Sequence, residues 1–183
     1  MKILIISITS LFMSFSSMAD IGFRLNPVTA LVGFADISLD LPIGDSLRLT
    51  PTMQYWNLTL PDSTTNESST FKVNGLGADL TFHFGNNFAS GLYLGAFFSK
   101  MNFEYESEAL NESGEADITT AGAILGYQWC WTSFYMNLAA RFGSASAEST
   151  ITVQNSTTGE DTGTEEDTPT GGGSLEFKLG WRF

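Results

Sequence analysis

The chain has a single cysteine, Cys130, and a single histidine, His83, among 183 residues. One cysteine excludes an internal disulfide. One histidine leaves one candidate for a Ser-His type of hydrolase. Basic residues are scarce as well: eight Lys and Arg face twenty Asp and Glu, for a net charge of −12. That balance excludes nucleic acid as a partner, because affinity for a phosphate backbone rests on Lys and Arg. Charged residues of both signs make up only 15% of the chain, where a soluble domain carries about 25%. Beyond the first twenty residues there is no apolar run of about 18, so no transmembrane helix is expected.

Aromatics, by contrast, reach 13%, and there are 18 glycines. The first nineteen residues have the layout of a cleaved secretory signal peptide. Lys2 supplies the positive end, Ile3 to Phe15 the apolar stretch, and Ser17-Met18-Ala19 the small-residue cleavage site before Asp20. No cysteine follows to carry a lipid. Residues 20–183 then form one domain, one charge more negative once Lys2 is gone.

The strongest signal in that domain is alternation with a period of two, the mark of a strand with two unlike faces. Leu175, Phe177, Leu179, Trp181 and Phe183 alternate with Glu176, Lys178, Gly180 and Arg182. The same pattern runs through Ala121 to Trp129, Ser133 to Ser144, Gly75 to Phe84, Phe88 to Phe98, Asp36 to Leu41 and Leu47 to Tyr55. Pro51 falls inside the last of these, where a bulge is expected. An eighth strand is expected at Ile21 to Leu25, followed by a turn through Asn26-Pro27, with Val28 to Val32 as a candidate short helix. Met101, Phe103 and Tyr105 continue the alternation with Asn102, Glu104 and Glu106 past the length that spans a bilayer, so strands project above it.

Connections alternate between tight ones (Pro42 to Asp45, Gly85 to Asn87, Cys130-Trp131) and long polar ones (Pro61 to Thr70, Ser107 to Ala116, Ile151 to Gly172). An apolar face opposite a polar one, with short turns at one end and long loops at the other, predicts an all-β fold. Its form is an eight-stranded antiparallel up-and-down transmembrane β-barrel. Short turns and both termini belong on the periplasmic side and the long loops outside the cell. Asn155 to Gly173, rich in Thr, Gly, Glu and Asp, is expected to be disordered.

By parity, Arg24, Asp36, Asp40, Arg48, Asp79, Arg141, Glu176, Lys178 and Arg182 point into the lumen. An eight-stranded barrel is just wide enough for side chains to fill, and buried charges must pair. The expected result is an ion-pair network that plugs the lumen; the alternative is a narrow ion pathway. The remaining acids gather in the long loops, where an acidic crown could meet cations or a basic partner. Asp161 to Asp167 lacks the ligand spacing of an EF-hand, so no metal and no cofactor is assigned. His83 sits near a short turn among lumen charges, a structural setting, and no catalytic residue is assigned.

The signal peptide, the alternating strands and the ending Leu175-Glu-Phe-Lys-Leu-Gly-Trp-Arg-Phe183 together resemble the small bacterial outer-membrane barrels typified by OmpA, OmpX and OmpW. The resemblance implies outer-membrane location, contact with membrane lipids, and a C-terminal signal (Leu175, Phe177, Leu179, Trp181, Phe183) read by the barrel-assembly machinery. It implies no single function, because such a fold hosts many. The expected role is structural or surface interaction. A small pore for small or apolar solutes, a lipid-organising homo-oligomer and a lipid-modifying enzyme are the alternatives.

Overall fold

The computed structural model describes residues 21–61, 68–107, 112–155, 159–166 and 170–183. The expected signal peptide, residues 1–19, lies outside them. Nine strands and one helical turn follow in order: β1 (Gly22–Leu25), α1 (Pro27–Ala30), β2 (Ala35–Ile43), β3 (Leu47–Pro61), β4 (Ser68–His83), β5 (Gly91–Ser107), β6 (Glu112–Cys130), β7 (Phe134–Asn155), β8 (Gly159–Glu166) and β9 (Thr170–Arg182). Every pairing is antiparallel, between neighbours in sequence except where the ring is completed. There β9 pairs with β7 on one side and β1 on the other. The result is a closed up-and-down barrel of eight strands, with β8 lying outside the ring as a hairpin partner of the upper part of β7.

The registers fix the geometry of closure. Crossing the ring from Arg24 through Ser38, Thr52, Gly77, Ser99, Thr120 and Ala145 arrives at Thr170. Arg24 itself pairs with Gly180, so the stagger is ten positions. Such a stagger over eight strands corresponds to a tilt of about 40°. Because it is even, inward and outward faces stay consistent around the whole ring. Glycine lets neighbouring backbones approach closely at one pair in the wall. Gly122 pairs with Gly143, and a Cβ on Gly122 would collide with the Phe142 carbonyl. Gly122→Ala is therefore expected to lower stability by about 1–3 kcal/mol, read as a lower urea midpoint for the protein refolded in lipid vesicles.

The short α1 has clear local causes. The Asn26 side chain accepts hydrogen bonds from the Val28 and Thr29 backbone N–H groups at 3.0 and 3.3 Å, and Pro27 occupies the first helical position. Gly33, with φ at +77°, turns the chain into β2. The Trp56 indole of β3 donates to the Val32 carbonyl at 3.0 Å and holds that turn.

Three expectations are corrected. Pro51 makes no bulge: the β2–β3 register is the same before and after it, and so is the β3–β4 register through it. The proline lacks an N–H, so the β2–β3 ladder lapses between Ser38–Thr52 and Leu41–Leu49 without shifting. The segment expected to be disordered contains β8, all of which pairs with Glu148–Asn155, and the start of β9. Ladder hydrogen bonds are backbone bonds, and β8, which has no apolar residue of its own, pairs through them. The long loops are also shorter than expected, because the strands around them run on: β3 to Pro61, β4 from Ser68, β5 to Ser107 and β6 from Glu112.

Candidate functional site

Two ionic clusters fill the lower lumen. In the first, Asp40 is fully buried. It takes Arg24 at 2.9 Å and Arg48 at 3.2 Å. The Tyr135 hydroxyl donates to it at 2.5 Å and the Thr50 hydroxyl at 2.7 Å. Arg48 also donates to the Gln128 amide oxygen at 2.8 Å and lies over the Phe88 ring at 4.6 Å. The second cluster sits higher. Arg141 bridges Asp79 at 2.6 Å and Glu176 at 3.2 Å. Lys178 reaches Asp36 at 3.1 Å, Glu176 at 3.5 Å and the Ser38 hydroxyl at 2.9 Å. Four bases thus face four acids, and each base touches a carboxylate. Arg48 and Lys178 are each 1% exposed, so the clusters occupy the lumen.

Eight of the nine residues assigned to the lumen network by parity are in these clusters. Arg182 is the exception. It is half-buried at the end of β9, donates to the Thr132 carbonyl at 2.7 Å and lies over Phe88 at 5.6 Å. Its inward parity is right, but its position beside the β6–β7 turn places it at the rim, below the clusters. His83 is buried and stacks on Tyr93 with centroids 4.9 Å apart; the Thr81 hydroxyl lies 3.3 Å from its Nε2. Parity alone did not single out Tyr135, Gln128, Thr50 and Ser38, which complete the clusters. All four lie at inward positions and could have been found there.

The outer face carries the complementary pattern. Leu49, Leu80, Leu94, Leu125 and Leu138 are exposed at the middle of the wall. Trp181, Phe183, Trp131 and Phe84 are exposed at the short-turn end, and Tyr55, Phe98 and Phe142 at the other. Then the apolar face stops at one level: Tyr55 gives way to Asn57, Leu76 to Asn74, Phe98 to Lys100, Phe142 to Ser144 and Leu175 to Gly173. The outward runs cover about nine residues, which at about 3.3 Å each and a tilt of about 40° make a band roughly 22 Å tall.

Above that level the two faces exchange character. The outer face holds Lys72, Lys100, Glu104, Glu106, Glu115 and Asp117. The acids expected in loops are thus partly on strands. Lys100 lies 2.7 Å from Asp117. Lys100, and then the Asn102 amide, hold the Asp117 carboxyl below its usual value. The inner face now carries Trp56, Phe71, Val73, Met101, Phe103 and Tyr105. Val73 is buried and Phe71 packs on Tyr105 with centroids 4.9 Å apart. Between this apolar upper face and the ionic clusters lies a vestibule of about 470 Å³, reaching down to Arg141, Glu176 and Asp36.

Among the described residues, no group of three or more His, Cys, Asp or Glu is placed to hold a metal ion. No protein-family profile and no curated protein matches the chain at a significant level.

Proposed function

We propose that the chain is a non-conducting outer-membrane barrel that carries a β-structured binding surface above the membrane. The apolar outer band, ending at one level on five strands and enclosing paired ions, is the observation that supports this most. Its height matches the roughly 25 Å apolar belt of outer-membrane barrels, and its aromatic ends match their girdles. On this reading the short turns and Phe183 face the periplasm. Leu175, Phe177, Leu179, Trp181 and Phe183 form the outward face of the last strand, which the barrel-assembly machinery reads. The acidic outer surface and the apolar inner surface above the band face the cell exterior, where they serve interaction.

The pore reading is weaker because charges of both signs fill the lower lumen and are bound to one another, which leaves no continuous wide path. The enzyme reading is weaker because the one histidine is buried with its ring against Tyr93 and Thr81, and it meets a serine, Ser46, through its backbone N–H alone. Planar-bilayer recordings of the refolded protein test the proposal. The expected trace is silent; steady, sizeable steps would overturn it. Arg141→Ala removes the bridge between Asp79 and Glu176 and is expected to introduce brief, noisy openings.

A further inference from the structure

Among the described residues, the barrel wall has a place where no strand closes it. β1 ends at Leu25, opposite Leu179. Among the described residues, Thr170–Lys178 of β9 has a strand partner on the β7 side alone. The single helical turn α1 stands in the gap and contacts both β2 and β9. The vestibule opens there. It touches every residue of β9 from Thr170 to Glu176 rather than every second one, as a cavity does when it meets a strand along its edge. A Cβ on Gly172 would meet nothing within 4 Å. The gap lies at the upper edge of the apolar band. Leu175 is 81% exposed beside it, and Val28, Leu31 and Val32 on and after α1 are 60%, 87% and 66% exposed.

We propose that this vestibule binds an uncharged long-chain amphiphile drawn from the outer leaflet through the gap between α1 and β9. The inference rests on the membrane reading above. Three features select the ligand. Phe34, Phe97 and Met101 give the vestibule apolar walls, and these are continuous through the gap with the lipid-facing band. The polar floor has no charge to spare: Arg141 is held by Asp79 and Glu176, and Lys178 by Asp36 and Glu176. A charged head would have to break one of those pairs, whereas a hydroxyl hydrogen-bonds without doing so. The unladdered edge of β9 supplies backbone donors and acceptors, which at membrane depth are tolerated where they line a polar cavity. The volume lies in the range of small-molecule sites, roughly 300–1,000 Å³.

Trp56 reports on the site, because its ring lies 6.5 Å from that of Phe34, a vestibule residue. The experiment uses the mature barrel in lipid nanodiscs with Trp129, Trp131 and Trp181 replaced by Phe. It is titrated with 12-bromododecan-1-ol, and separately with 12-bromododecanoate. The expected result is saturable quenching of Trp56 by the alcohol, at least tenfold weaker for the carboxylate. Gly172→Phe, at a position where an added Cβ meets nothing within 4 Å, puts a ring into the vestibule and should weaken the alcohol at least tenfold. Ala145→Leu, on the neighbouring strand β7 and also lining the vestibule, does the same job should Gly172→Phe fail to fold. Quenching that rises linearly and is unchanged in the filled variant is partition into lipid, and overturns the proposal. Equal saturable quenching by alcohol and carboxylate overturns the choice of an uncharged head. Neither outcome touches the non-conducting reading, which bilayer recordings decide separately.

Discussion

Asp40→Ala should be the most damaging single substitution in the barrel, lowering its stability by about 3–5 kcal/mol. The carboxylate is fully buried and ties together four side chains from three strands: Arg24, Arg48, Thr50 and Tyr135. Without it, two guanidiniums stay in the lumen with no partner of opposite charge in contact. That uncompensated charge is the source of the cost. Asp40→Asn keeps one oxygen acceptor, for Thr50 or for Tyr135, which bond different carboxylate oxygens, but not the charge, so it should fall between Ala and the native protein. Asp117→Ala is the matched control. Its ion pair with Lys100 stands in water on the outer face, where solvent screening leaves such pairs contributing little. Urea unfolding in lipid vesicles measures all three. Equal effects at Asp40 and Asp117 would mean that the lumen is as wet as the surface.

The second large effect concerns the outer face. Leu80→Arg at the middle of the apolar band should cost about 2–4 kcal/mol, and the penalty should shrink toward the band's edges. Leu80 is 48% exposed and packs on little. A soluble barrel would tolerate arginine there at almost no cost. Asn74→Arg, three outward positions above it on β4 and beyond the band, should be close to neutral. The contrast between the two positions separates a lipid-facing surface from one that is merely apolar.

Most of the barrel was legible in the sequence because its cause is local. A wall with one apolar and one polar face writes a two-residue period into each strand, and the parity of Phe183 carried from strand to strand without error. The lumen cluster followed from the same parity, apart from Arg182, since parity gives direction but not height along the axis. Height depends on the stagger between strands, which one strand's pattern does not contain. The same limit hid the exchange of faces above the band. Met101, Phe103 and Tyr105 were visible as an alternating run, but on the parity opposite to Leu94 and Phe98. Only the continuous register of β5 with β4 and β6 shows that the strand passes that boundary without a bulge. The ladder of β8 was illegible for another reason. Its pairing rests on backbone bonds, and Thr, Gly, Glu and Asp leave no period to read. Pro51 misled because a missing donor interrupts hydrogen bonding without requiring an extra residue.

The central claim is that the outer face changes solvent at a single level, from lipid to water. A nitroxide scan along the outward positions of β5 tests it most directly: Leu92, Leu94, Ala96, Phe98, Lys100, Asn102 and Glu104, each replaced in turn by spin-labelled cysteine in a Cys130→Ser background, in vesicles. The account predicts collision with oxygen dominant through Phe98, then a switch at Lys100 to collision with a water-soluble nickel complex that persists to Glu104. Nickel accessibility that is high and even from Leu92 onward would contradict it.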